Sequence, residues 1–310
     1  MILITGSTGF IGQHLCSYLK DKNLKFIPFS RKIVKLRYLN MFTVKFIDFS
    51  LDKPKYPKVI NADTMIHLAS IAHDTKNKFK KSDYTKTNEK SLDLLLKWCR
   101  KAKIKRFIYI SSVGVYGDIY GKKISVKSKE NPTEIYSLSK LNAEKKIINF
   151  CKKNNIEFVI IRPPLVYAYD APGNFKRLIK LFSNNYILPF GNSKSEKTVI
   201  YVKNLCDFIY YSISSNNVIN KKILITDNHR FSLYSLNRML VQKGLFKNLL
   251  IPINDNILIF CSYIFCKGKV VKKMLSGYKI NGSNFKDWKP KYSLNHAISE
   301  IADKYNLNNV

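Results

Sequence analysis

The chain begins Met1-Ile2-Leu3-Ile4 and passes at once into Thr5-Gly6-Ser7-Thr8-Gly9-Phe10-Ile11-Gly12. A short apolar run closed by glycines predicts a buried strand and a tight turn. Ile11, Leu15, Tyr18 and Leu19 then fall on one stripe of a helix over Phe10–Leu19. Glycines at such a turn let an anionic group approach the backbone, and the helix N-terminus offers N–H groups and the positive end of its dipole. In this position the pattern points to a dinucleotide pyrophosphate held by Gly6, Thr8, Gly9, Phe10, Ile11 and Gly12. No Lys-Ser or Lys-Thr follows the last glycine, which argues against a nucleotide-triphosphatase loop. A strand starting at the first residue leaves no room for a signal peptide, so a cytoplasmic location is expected.

The same alternation continues. Strands are expected at Ile2–Thr5, Lys25–Phe29, Val44–Ile47, Thr64–Leu68, Phe107–Ser111 and Phe158–Arg162. Helical stripes lie at Phe10–Leu19, Leu92–Cys99 and Ser137–Cys151. Continuous apolar strands alternating with helices predict an α/β fold built on a doubly wound parallel sheet. After Arg162 the rhythm breaks at Pro163, Pro164, Pro172, Gly173, Pro189 and Gly191. The chain is therefore divided into a nucleotide-binding domain over 1–170 and a smaller, mostly helical substrate-binding lid over 171–310. The segment 196–226 is expected to return to the sheet. The apolar run Ile257–Phe265 is too short to span a bilayer; being apolar on all sides, it predicts a buried helix of the lid.

Charge bears on partners. The 310 residues carry 54 Lys and Arg against 21 Asp and Glu, a formal net charge of +33. Only eight of the 54 are Arg, and Arg is the residue favoured for bidentate phosphate and base contacts. The lysines run the whole length without a dominant block. A solvated lysine-rich surface is expected, and no nucleic-acid partner; the excess also leaves room for weak peripheral association with anionic membranes. Six scattered cysteines form no C-x-x-C pair, so reduced thiols and no metal site are expected.

At the end of the second strand, a carboxylate would accept hydrogen bonds from the adenosine ribose of NAD. Here the residues are Ser30-Arg31-Lys32. Arg31 can face a 2′-phosphate, which points to NADP(H), with NAD(H) as the alternative. Asp48, after the third strand, is placed to meet the adenine. Further on, Tyr136-Ser137-Leu138-Ser139-Lys140 opens a helix, and a spacing of four sets the phenol and the ammonium on one face. A cation so placed lowers the phenol pKa toward neutrality, which makes Tyr136 a proton donor and acceptor. Lys140 also reaches the nicotinamide ribose. Ser112, in Ser111-Ser112-Val113-Gly114-Val115-Tyr116-Gly117, follows a strand and can hydrogen-bond the same substrate oxygen.

Taken together, TGSTGFIG, Ile66-His67-Leu68-Ala69, Asn88, SSVGVYG, YSLSK and Arg162-Pro163-Pro164-Leu165-Val166-Tyr167 resemble the extended short-chain dehydrogenase/reductases. Within them they resemble the NAD(P)-dependent nucleotide-sugar epimerase/dehydratase family. The resemblance implies a Rossmann fold, an oxidoreductase working on a UDP-sugar, and a homodimer paired through the helices Leu92–Arg100 and Ser137–Cys151. It adds Leu68, Ala69, Asn88 and Pro163 to the cofactor site, with Tyr136 and Lys140. It assigns Ser112, Val113, Tyr136, Asn174 and Lys197 to the substrate, with Phe175 lining the pocket. Lys197 stands where relatives carry an Arg that grips the diphosphate.

The 4,6-dehydratases of this family carry Asp-Glu directly after the catalytic Ser or Thr. Val113 and Gly114 occupy those positions here and cannot move protons. The runs 162–167, 173–175 and Leu188-Pro189-Phe190-Gly191 resemble reductases of UDP-4-keto-6-deoxy-N-acetylhexosamines, which make N-acetylquinovosamine-type sugars for surface polysaccharide. The resemblance thus implies an NAD(P)H-dependent 4-keto reductase. A UDP-hexose or UDP-N-acetylhexosamine 4-epimerase is the alternative, and a non-catalytic nucleotide- or RNA-binding relative is a more distant one.

Overall fold

The computed structural model describes residues 1–30, 34–36, 45–46, 62–71, 80–184, 186–266 and 268–308. Seven parallel strands form the central sheet. In spatial order they are Lys221–Leu224, Glu157–Arg162, Arg106–Ile110, Thr64–His67, Ile2–Thr5, Phe26–Ser30 and Lys45–Phe46. The expected strands of the first half are all present, shifted at their ends by a residue or two. The first strand lies between the second and the fourth, with Thr5 in register with both Phe29 and His67. Here the strand order reverses, and the carboxyl ends of diverging connections leave a crevice.

Both faces of the sheet are covered, which is why its strands are apolar without alternation. On one face Leu3, Met65, Phe107 and Ile160 pack against Leu92, Leu95, Leu96, Ala143 and Ile147 of the helices Ser91–Lys101 and Ile135–Lys153. On the other, Ile4, Ile66, Ile108 and Ile161 meet Leu15 and Leu19 of the helix Phe10–Asp21. Leu205, Phe208 and Ile209 of Val202–Ser214 complete that layer.

Beyond Arg162 the two consecutive prolines, which carry no backbone N–H to extend a ladder, turn the chain away from the sheet. Of the segment expected to return, Lys221–Leu224 pairs with the strand Glu157–Arg162. The strand Lys197–Tyr201 does not join the central sheet. It lies parallel to Leu165–Tyr167 and antiparallel to Arg230–Phe231 in a separate three-stranded sheet. The rest of the C-terminal part is mostly helical: Leu233–Gln242, Asp255–Ile264, Gly268–Leu275 and Leu294–Asn308. Trp288 ties this tail back to the core, its indole N–H donating to Asp207 Oδ2 at 2.7 Å.

The helix Asp255–Ile264 differs from expectation. It contains no buried residue. Leu258 and Ile259 rest against the core, while Ile257, Phe260 and Ile264 are 57%, 71% and 70% exposed. The protein covers only one side of this helix, so its other apolar side faces outward.

Candidate active site

The glycine-rich turn after the first strand is shaped for close approach. Gly6 has φ +72°, and a Cβ there would sit 2.6 Å from the Ala69 backbone nitrogen. A Cβ at Gly12 would sit 2.2 Å from the Gly6 carbonyl. Only glycine lets the turn, the first helix and the end of the fourth strand meet this tightly. The helix begins at Gly9 without a side-chain cap, leaving its N-terminal end to an anion. Thr8 Oγ1 and Ser30 Oγ, 3.2 Å apart, join the turn to the end of the second strand. Leu68 and Ala69 follow the fourth strand, with the Leu68 N–H donating to the Thr5 carbonyl at 3.1 Å. These residues fit a dinucleotide whose pyrophosphate lies on the helix end. Arg31 and Asp48, expected to face the ribose phosphate and the adenine, lie outside the described residues.

Ser112, Tyr136 and Lys140 come together at the carboxyl end of the strand Arg106–Ile110. Ser112 leaves that strand in extended conformation and caps a short 3-10 turn, its Oγ accepting from the Gly114 N–H at 3.1 Å. The Val113 N–H donates to the Pro163 carbonyl at 3.0 Å, which places Pro163 beside the serine. Tyr136 sits in the first turn of the helix Ile135–Lys153. Its phenol pKa is raised well above the ordinary value by burial, and the Ser112 hydroxyl beside it pulls partly in the other direction. The expected lowering toward neutrality is therefore not what the structure shows: burial, which disfavours the phenolate, acts most strongly on this group.

Lys140 is also buried. Its Nζ donates to the Ile110 carbonyl at 2.8 Å. It lies 4.7 Å from the Tyr109 ring centroid and 5.9 Å from that of Tyr136. Burial pushes its pKa down to about 7, with Glu144 one turn along the helix opposing the shift. Below it, Tyr109 and His67 occupy neighbouring positions on adjacent strands and stack at 5.6 Å. His67 Nδ1 is 2.6 Å from Thr5 Oγ1, and burial followed by the Lys140 charge holds it down at about 3, neutral at physiological pH. The platform under Lys140 is thus aromatic and uncharged.

The helix Ile135–Lys153 is fixed by buried polar contacts. Glu144 accepts from Arg162 Nε at 2.9 Å and from Ser111 Oγ at 2.5 Å. Arg162 also binds Glu130 and the Tyr116 hydroxyl, the latter at 2.7 Å. Asn88 is committed structurally as well. Its Oδ1 accepts from the Ile71 N–H, and its Nδ2 donates to Ser139 Oγ, each at 3.0 Å. It links the loop after the fourth strand to the helix Ile135–Lys153.

Of the residues expected to meet the substrate, Val113 is buried. A Cβ at Gly114 would lie 2.5 Å from Ser137 Oγ, so any side chain at this position must displace that hydroxyl. Asn174 is exposed at the start of the helix Asn174–Asn184. Phe175 does not line a pocket: it is buried in the core beside Tyr167 and Phe231, where the helical period turns it inward. Lys197 Nζ donates to the carbonyls of Lys273 and Met274 at 2.9 and 2.7 Å, ending the helix Gly268–Leu275. Burial brings its pKa down to about 8.

Sequence reasoning missed Tyr109, His67 and the Arg162–Glu144 pair. Glu144 stands four residues after Lys140, which was a usable signal. Tyr109 is concealed within a continuous apolar run.

A parallel sheet with this glycine turn and a Ser, Tyr and Lys set at one strand end defines the extended short-chain dehydrogenase/reductase class. The chain belongs to the NAD dependent epimerase/dehydratase family, whose model matches residues 2–225. It is 29% identical to a UDP-glucose 4-epimerase from Vibrio cholerae over 313 residues, 98% of this chain and 95% of that protein. It is 30% identical over 251 residues to the uncharacterized UDP-glucose epimerase YtcB of Bacillus subtilis, covering 74% of this chain and 78% of the other. The crystal structure of UDP-N-acetylglucosamine 4-epimerase from Bacillus cereus shares the fold with TM-score 0.78 at 20% identity, over 98% of this chain and 99% of that one.

Proposed function

We propose that the chain carries out oxidoreduction at C4 of a UDP-linked sugar, in the direction that reduces a UDP-4-keto-6-deoxy-N-acetylhexosamine with NAD(P)H. The observation that carries this reading is the Tyr136 phenol beside the Ser112 hydroxyl, on a strand end whose next two residues, Val113 and Gly114, cannot move protons. A bound nicotinamide dinucleotide supplies the hydride. Ser112 holds the C4 oxygen, and Tyr136 donates the proton that turns it into a hydroxyl. Burial keeps that phenol protonated at neutral pH, which suits a donor. Lys140, fixed on the Ile110 carbonyl, holds the nicotinamide ribose. Arg31, after Ser30, gives the reading its preference for NADP(H); Asn174 and Lys197 lie on its sugar-nucleotide side. The absence of an acid–base pair after Ser112 speaks against water loss from the sugar.

A second reading, 4-epimerisation of a UDP-hexose or UDP-N-acetylhexosamine, is favoured by the similarity to the Vibrio cholerae UDP-glucose 4-epimerase, which spans the lid as well as the sheet. One assay separates the two. The purified protein is incubated with freshly made UDP-4-keto-6-deoxy-N-acetylglucosamine and NADPH or NADH, and the product is read by NMR. Stoichiometric loss of reduced cofactor with a new C4 hydroxyl is expected. Interconversion of UDP-sugars without net cofactor consumption would establish the epimerase instead.

A further inference from the structure

The helices Asp255–Ile264 and Gly268–Leu275 form a hairpin on the lid, built as an inverted sandwich. Its inner side is apolar: Leu258, Ile259, Val271 and Met274 pack against the core, and Leu275 is buried. Its outer side is apolar too. Ile257, Phe260 and Ile264 recur at i, i+3 and i+7 along the first helix. Phe265 is 74% exposed at the turn, and Val270 is 65% exposed on the second helix. Cys266 follows the first helix with φ +54°, in the left-handed region. The exposure continues toward the hairpin's start, where Tyr186, Ile187, Leu249 and Ile251 are also exposed around a short pair of parallel strands. Scattered exposed apolar residues are ordinary, but a run of this size marks a contact surface.

Charge identifies what it contacts. The stretches 171–195 and 243–286 together contain twelve Lys and Arg and a single acidic residue, Asp255. That carboxylate is occupied by the Ser193 hydroxyl at 2.5 Å. A second copy of this chain docking through the same face would oppose lysines to lysines, which is unfavourable across a two-fold interface. An anionic bilayer surface complements both features: acyl chains receive Phe260, Ile264 and Phe265, while headgroups attract the lysines. Among the described residues no helix is long and apolar enough to cross a membrane, so the contact is one of lying on the surface. We infer that the Asp255–Leu275 hairpin docks this protein on anionic lipid. The hairpin is joined to the rest of the enzyme by Lys273, which pairs with Glu134 at the start of the catalytic helix. Docking therefore sets the lid side of the enzyme toward the membrane.

Flotation of the full chain with vesicles of phosphatidylcholine, with and without phosphatidylglycerol, tests this. Binding to the anionic vesicles, weakened by salt, is expected. Because the chain is strongly basic throughout, the decisive arm is the double variant Phe260→Ser/Ile264→Ser, which leaves charge unchanged. Its partitioning should fall by about ten-fold or more, given the apolar surface it removes, with an unaltered melting temperature. A Phe260→Trp variant should show a blue shift of its new emission on anionic vesicles. Failure of the wild type to float, equal flotation of the double variant, or an unmoved Phe260→Trp emission would overturn the inference. So would a self-associating species in sedimentation velocity that the double variant abolishes while no vesicle binding occurs.

Discussion

Phe107, Ile108 and Ile110 lie in a strand whose five residues are all buried, whereas Ile257, Phe260 and Ile264 lie in a helix with no buried residue at all. Locally the two stretches are comparably apolar. What separates them is the number of partners. The strand is flanked by other strands and covered by helices on both faces, so each side chain meets protein. The hairpin is covered on one side only. The buried stretch is accordingly able to support chemistry: Tyr109 within it is buried, Lys140 is buried and donates to its Ile110 carbonyl, and Ser112 follows its end. The exposed stretch contributes little to the core.

Substitutions in the two regions should differ in kind. The largest effect belongs to Tyr136→Phe, which keeps the ring and removes the proton. Turnover should fall by about 10²–10⁴-fold, with cofactor affinity in a fluorescence titration unchanged. Next is Glu144→Ala, which leaves the fully buried Arg162 with one carboxylate partner fewer. Denaturant unfolding should register a loss of about 3–5 kcal/mol, the usual consequence of breaking a buried ion pair.

A smaller effect concerns pH. The folded Lys140 releases its proton near 7, while an unfolded lysine keeps it to about 10.4. Between those values the unfolded state binds the extra proton, so stability rises with pH across that window, and the cost of the buried charge is fully present below it. Replacing Lys140 by Met should flatten that rise in melting temperature between about pH 7 and 10. The smallest effect belongs to the outer hairpin: Phe260→Ala should change unfolding free energy by no more than about 0.5 kcal/mol. A large destabilisation there would erase the contrast between the two regions.

The same contrast explains what the sequence made legible. Parallel strands covered on both faces read as apolar runs, and the glycine turn and the Tyr136–Lys140 spacing are local, so the fold and the main elements of the site could be anticipated. The exposure of Ile257–Phe265 could not, because an apolar helix looks alike whether one or two sides are covered. The stack of His67 on Tyr109 depends on the register of two strands far apart in the chain. The pKa of Tyr136 was misjudged because the sequence shows the nearby cation but not the burial, which acts most strongly on the phenol. Phe175 was misplaced because its neighbours Tyr167 and Phe231 are brought to it by the lid's own small sheet.

The central claim is that the chemistry occurs at C4 of the sugar under proton donation by Tyr136. It is tested most directly by supplying NAD(P)H deuterated at the transferred position, together with the 4-keto UDP-sugar, and locating the label by NMR. The account predicts deuterium at C4 of the product in wild type and almost none with Tyr136→Phe over the same interval. Product without deuterium at C4, or equal labelling by the variant, would contradict it.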